Sequence, residues 1–174
     1  MLRTVSLACA FAVAAVLIGA SVSKLRSPAL TRAATNDLGA PIWLAMFVAP
    51  VELVSAVVLL VRPRFGAVLA VVLLTAFSVL LRRVVLSGRV VRCGCFGAGT
   101  SEPVTQVTLL RNFGLIGVSV VAFFAPPAFD ASASELMASA CVALGVVSTG
   151  LLVLALADLR RVTGAVFPTA RSEV

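Results

Sequence analysis

Five long apolar stretches dominate the sequence and restrict what it can fold into. They cover residues 5–22, 40–61, 65–86, 105–125 and 136–157. Each approaches or exceeds the roughly 20 apolar residues that a helix needs to cross about 30 Å of hydrocarbon. Because no water is available there to satisfy the backbone, a helix is the form that pairs these groups within one segment. The sequence therefore predicts an all-α, polytopic membrane protein.

The connections between the stretches are short, which predicts that successive spans run in opposite directions. We expect a four-helix antiparallel transmembrane bundle followed by a fifth, C-terminal transmembrane helix. Residues 1–160 then form a single transmembrane domain, and residues 161–174 form a short basic tail. The first stretch could instead be a signal peptide, but its length and the lack of a convincing A-x-A cleavage site favour a span.

The composition excludes several classes of protein. Apolar residues make up 61% of the chain and charged residues 12%, whereas a soluble domain has about 45–50% and about 25%. A soluble enzyme, a disordered chain and a collagen-like repeat are therefore excluded. The absence of histidine also excludes a Ser-His-Asp triad, a zinc site with histidine ligands and a haem held by histidine.

The basic residues are distributed unevenly between the two sides of the predicted bundle. Arg3, Arg62 and Arg64 fall on one side, and eleven fall on the other: Lys24, Arg26, Arg32, Arg82, Arg83, Arg89, Arg92, Arg111, Arg160, Arg161 and Arg171. The positive-inside rule places the second side in the cytoplasm, so the N-terminus lies outside and the C-terminus inside.

These basic residues also indicate where the protein resides. All but one are arginines, which is typical of a GC-rich bacterial genome and favours a bacterial cytoplasmic (inner) membrane. They lie in short connections with no aromatic platform among them. We therefore expect membrane lipid as a partner and no nucleic acid.

The connection between the third and fourth spans carries the most reactive residues. Cys93 and Cys95 are separated by one glycine, and Arg89 and Arg92 precede them. The positive field favours the thiolate form, and a disulfide across one residue closes a strained ring of the redox-active kind. The favoured interpretation is a redox pair, and two inert structural cysteines are the alternative.

A metal site is not predicted. Structural zinc needs four ligands, and the two other cysteines, Cys9 and Cys141, lie within separate spans. Both are expected to be small packing residues.

Charged residues within spans are energetically expensive and mark functional sites. Glu52 in the second span and Arg111 in the fourth lie at similar depth, which predicts an ion pair with Asn112 as a further donor and Lys24 at its rim. Such a group could position a quinone head or a mixed-disulfide partner beneath the cysteines, with Glu52 as proton acceptor. A pair that only fixes helix register is the alternative. No resident cofactor is predicted.

The motif Cys93-Gly94-Cys95-Phe96-Gly97, followed by Leu110-Arg111-Asn112, resembles the redox-associated membrane proteins related to the methylamine-utilisation protein MauE, within a broader DoxX-like group. Weaker similarities are Gly19 to Leu25, Pro50-Val51-Glu52-Leu53 and Phe77-Ser78. The resemblance covers about residues 15–125.

This resemblance implies a four-helix membrane bundle linked to thiol–disulfide chemistry. It implies a role in maturing a partner such as the disulfide-rich small subunit of methylamine dehydrogenase, often beside a thioredoxin-like protein. By resemblance, Cys93 and Cys95 are the dithiol, and Lys24, Glu52, Arg111 and Asn112 are supporting polar positions.

Two questions stay open at the level of sequence. The chain could be a thiol–disulfide oxidoreductase or its electron-relay subunit, or a non-catalytic assembly subunit with structural cysteines. The family's partners are periplasmic, whereas the basic residues place the cysteine loop in the cytoplasm.

A reporter fused after Val174 tests the orientation. Eleven basic residues against three predict that the C-terminus is cytoplasmic. A fusion that is active only in the periplasm would contradict both the orientation and the side assigned to the cysteine loop.

Overall fold

The computed structural model describes residues 2–88 and 106–145. Its helices are α1 (Leu2–Arg26), α2 (Pro28–Asp37), α3 (Leu44–Val61), α4 (Pro63–Leu86), α5 (Gln106–Ala122) and α6 (Ala133–Gly145), with a 3-10 turn at Ala128–Asp130. No strand occurs within these residues. The predicted all-α class is thus confirmed for the described part of the chain.

Three of the helices are long and apolar enough to cross a membrane, namely α1, α3 and α4. They coincide with the first three predicted spans, and α5 lies within the fourth. The fifth predicted span begins in α6, but residues 146–157 and the basic tail at 161–174 lie outside the described residues. The count of five spans therefore stays a prediction.

Helix α2 was not predicted. It begins at Pro28, where the ring suits the first turn of a helix, and it is followed by Gly39 with φ +73°. The Gly39 and Ala40 amides donate to the carbonyls of Asn36 and Thr35 at 2.9 and 3.0 Å, which closes the helix end. Helix α2 contains no apolar stretch of span length because half of its residues are polar, although the proline and glycine signals flank it.

The long helices alternate in direction, as predicted for an antiparallel bundle. Arg3 in α1, Arg62 between α3 and α4, and Phe124 after α5 line one pocket, and we call this the arginine end. The C-terminus of α1, the N-terminus of α3, the C-terminus of α4 and the N-terminus of α5 lie at the opposite end. We call this the cysteine end, because Leu86 and Gln106 there flank the segment that contains Cys93 and Cys95.

Small residues form the centre of the bundle. The core is mostly alanine: Ala10, Val13, Ala14, Leu17, Ala56, Leu59, Ala67, Ala70, Ala122 and Ala125. Helices in lipid gain stability from close backbone approach rather than from excluding water, and alanine permits that approach. Large apolar side chains such as Phe47, Val72 and Phe113 are exposed on the outer faces, where lipid tails would cover them.

Helices α3 and α4 approach each other closely one turn from their connection. A Cβ on Gly66 would overlap the backbone of Leu59, and Leu59 is fully buried. Arg62 between the two helices donates its amide to Val58 and accepts from the Gly66 amide, at 2.7 and 3.0 Å. Only glycine allows this tight reversal.

We therefore expect Gly66→Ala to lower the free energy of unfolding by about 1–3 kcal/mol, because the helices must separate to admit the methyl group. Thermal unfolding of the purified protein in detergent measures this. Gly117→Ala on α5 is the matched control, since a Cβ there meets no atom within 4 Å, and alanine should stabilise that helix by up to about 1 kcal/mol. Equal effects of the two substitutions would contradict the close approach.

Candidate functional site

A pocket of about 220 Å³ lies between α1, α3, α4 and α5, towards the cysteine end. Most of its wall is apolar and includes Leu17, Phe47, Val51 and Phe77. Its polar lining residues are Lys24, Glu52, Thr108, Arg111 and Asn112. Four of these five are the supporting positions that the sequence predicted.

Lys24 and Glu52 form an ion pair in this pocket. The Lys24 ammonium donates to both carboxylate oxygens of Glu52, at 2.7 and 2.8 Å. Each residue is only 7% exposed. Because hydrogen bonds between ionised groups are about twice as strong as neutral ones, this pair is a firm link between α1 and α3.

The antiparallel packing of α1 and α3 explains how the two side chains meet. Ser21 and Ala49 lie at the same level, since the Ser21 hydroxyl donates to the Ala49 carbonyl at 2.8 Å. Lys24 and Glu52 are each three residues further along, in opposite directions, so their Cα atoms differ in height by about 9 Å. Side chains lean towards the N-terminus of their own helix. Lys24 and Glu52 therefore lean towards each other, and the long lysine chain closes the gap.

The predicted pairing of Glu52 with Arg111 is therefore wrong, and Glu52 pairs with Lys24. Position along a helix determines depth but not the direction in which a side chain faces. Arg111 does line the same pocket as Glu52, and their common depth stays a prediction. Lys24 is also buried and not at the rim, because its side chain runs back along α1 into the bundle.

Asn112 is a buried donor, as predicted, but its acceptors lie on α4. Its amide nitrogen donates to the Leu74 carbonyl at 2.9 Å and to the Ser78 hydroxyl at 2.7 Å. The Ser78 hydroxyl in turn donates to the Leu74 carbonyl at 2.9 Å. The two bonds from Asn112 connect α4 to α5 at the pocket, as the ion pair connects α1 to α3.

Ser21 is a site residue that the sequence analysis missed. It is fully buried and lies one turn before Lys24 on the same face of α1. That spacing was the available signal, because a polar residue three positions from a buried charge shares its interface. The hydrogen bond from Ser21 to the Ala49 carbonyl also lies beside Pro50, the proline inside α3.

The predicted redox pair, Cys93 and Cys95, lies outside the described residues. The two remaining cysteines are free thiols: Cys9 is half-buried against the core, and Cys141 is exposed on α6. Packing is thus the role of Cys9, whereas Cys141 does not pack into the core. Within residues 2–88 and 106–145, no three side chains of Cys, Asp or Glu come together as a metal site.

The arrangement combines apolar walls with one buried ion pair, a guanidinium and an amide. Glu52 can accept a proton, and Lys24, Arg111 and Asn112 carry hydrogen-bond donors. Such a pocket suits a mostly apolar group that presents one or two oxygen acceptors.

Comparison with known proteins identifies a family. The family model described as methylamine utilisation protein MauE matches residues 2–125. The methylamine utilization protein MauE of Paracoccus denitrificans is 37% identical over 116 residues, which is 62% of this chain and 62% of that protein. No solved structure matches the chain. The predicted resemblance to MauE is confirmed, and the wider DoxX-like grouping stays a prediction.

The ion pair can be tested with a double-mutant cycle. Lys24→Met and Glu52→Gln should each lower the free energy of unfolding by about 3 kcal/mol, because each leaves the other group buried without its counter-charge. The loss of unfolding free energy in the double variant should be smaller than the sum of the two single losses, with a coupling energy of about 1–3 kcal/mol. Unfolding of the detergent-purified variants provides the measurement.

Arg26→Met is the matched control for this cycle. Arg26 is exposed and lies two residues after Lys24 on α1. The changes in unfolding free energy caused by Arg26→Met and Glu52→Gln should add in the double variant. Strict additivity of Lys24→Met with Glu52→Gln would contradict the pair.

Proposed function

The chain belongs to the MauE family, and we propose that it supports maturation of a partner protein by thiol–disulfide exchange through Cys93 and Cys95. The proposed location is the inner membrane of a bacterium. The relative from Paracoccus denitrificans is named for methylamine utilisation, so the proposed client is a disulfide-bearing protein of that process. A thioredoxin-like protein is the proposed intermediary.

The observation that carries this proposal is the position of the polar pocket. It lies towards the cysteine end, where α4 ends at Leu86 and α5 begins at Gln106. The chain between these two residues contains Cys93 and Cys95. Connectivity therefore attaches the cysteine segment to the two helices that form one wall of the pocket.

The exchange proceeds by ordinary thiol chemistry. A client thiolate attacks one sulfur of the Cys93–Cys95 disulfide and forms a mixed disulfide, and a second client thiolate then displaces this bond. The client gains a disulfide, and Cys93 and Cys95 become thiols. Two electrons and two protons have passed to the chain.

A quinone is the proposed acceptor that restores the disulfide. One dithiol and one quinone yield one disulfide and one quinol, so electrons and protons balance. Apolar walls suit the ring, and the guanidinium of Arg111, which lines the same pocket, suits its oxygens. Glu52, which lines the same pocket, is the proposed proton acceptor when a thiol is oxidised.

A non-catalytic assembly role is the second candidate. The bonds of Lys24 to Glu52 and of Asn112 to Ser78 connect helices within the bundle, and this alone is a structural function. Cysteines in such a protein would not cycle.

A redox titration distinguishes the two roles. In a Cys9→Ala, Cys141→Ala background, labelling with a maleimide reports only Cys93 and Cys95. We expect the labelled fraction to follow one two-electron transition, in which the equilibrium constant changes tenfold per about 30 mV. Cys93→Ser is the control, and its single remaining thiol should label at every potential.

Identical labelling of the parent protein at oxidising and reducing potentials would contradict the redox role. Client maturation that survives Cys93→Ser and Cys95→Ser would instead favour the assembly role.

A further inference from the structure

A second pocket, of about 400 Å³, lies at the arginine end of the bundle. Arg3, Arg62 and Arg64 line it together with Phe65 and Phe124. It is separate from the pocket at the cysteine end, and the proposed redox function does not use it.

Two distant parts of the chain bring these cations together. Arg3 lies in the first turn of α1, and Arg62 and Arg64 flank Pro63 at the reversal between α3 and α4. The close approach of Gly66 to Leu59 holds that reversal in place. Pro126 and Pro127, which follow the end of α5, form another part of the wall.

The described residues place no carboxylate in direct contact with the arginines of this pocket. Within the described residues, no Asp or Glu oxygen lies within 4.0 Å of the three guanidinium groups. Arg3 is attracted to Glu135 at longer range. However, Glu135 is engaged at the start of α6, where its carboxylate accepts from the Ser132 amide at 3.0 Å.

The aromatic residues of the pocket indicate which anion it suits. Phe65 and Phe124 are each 68% exposed, and they lie at the ends of apolar helices, where acyl chains meet the headgroup region. A free phosphate would need only the arginines. A phospholipid would use the guanidinium groups for its phosphate and the phenyl rings for its glycerol and upper acyl chains.

We propose that Arg3, Arg62 and Arg64 form a headgroup site for an anionic phospholipid. Basic pockets between membrane helices bind such headgroups, and planar guanidinium groups match phosphate oxygens in pairs. The site accounts for the clustering of three arginines at the end of the bundle that carries few basic residues.

Binding of fluorescent phosphatidylglycerol to the delipidated full chain in neutral detergent tests the proposal. Unlabelled phosphatidylglycerol should compete on the order of tenfold better than phosphatidylcholine. The double variant Arg62→Gln, Arg64→Gln should weaken binding on the order of tenfold. The matched control is Arg26→Gln, Arg32→Gln, which removes the same charge at the cysteine end and should change binding less than about twofold.

Further variants distinguish binding of a lipid from binding of a small anion. Phe65→Ala, Phe124→Ala should weaken binding of phosphatidylglycerol while leaving competition by inorganic phosphate unchanged. Arg62→Lys, Arg64→Lys keeps the charge and should retain part of the affinity, which shows that a loss in the glutamine variant is not misfolding. Equal loss in the control variant would overturn the site, as would inorganic phosphate competing as well as the lipid.

Discussion

The exclusion of water from the membrane interior is the constraint on which this structure depends. A polar group within the bundle must find its partner in the protein, or its burial is costly. Lys24 and Glu52 satisfy each other across α1 and α3, Ser21 donates to a carbonyl of α3, and Asn112 donates to α4. The same bonds hold the helices at defined rotations, so alanines elsewhere can pack closely without large side chains to interlock them.

This constraint also produces the site. Because Lys24 and Glu52 neutralise each other, charged groups can lie beside an apolar pocket without the penalty of an isolated charge. The pocket faces the end of the bundle from which the cysteine segment departs. A protein that transfers electrons and protons between thiols and a membrane-soluble acceptor needs this combination of an apolar binding space, a carboxylate and hydrogen-bond donors. The proposed function follows from the combination and not from any one of these residues.

The sequence predicts the helices well, because length and apolarity decide what can cross a membrane. It does not predict α2, since a half-polar helix leaves no apolar stretch of span length to detect. Burial of Glu52 and Asn112 was predictable, because a polar residue inside an apolar stretch must find a partner. The bonding partners of these two residues were not predictable. They depend on helix rotation and on the reach of the Lys24 side chain, and neither is visible in spacing along the chain.

The central claim is that Cys93 and Cys95 pass electrons from a client dithiol to a quinone at the pocket. Its most direct measurement is turnover by the full chain in detergent, with a reduced dithiol peptide and a short-chain quinone followed by absorbance. We predict one quinol per peptide disulfide, a rate that is lost in Cys95→Ser, and a slower rate in Glu52→Gln. A rate in the Cys93→Ser, Cys95→Ser variant equal to that of the parent protein would contradict the account.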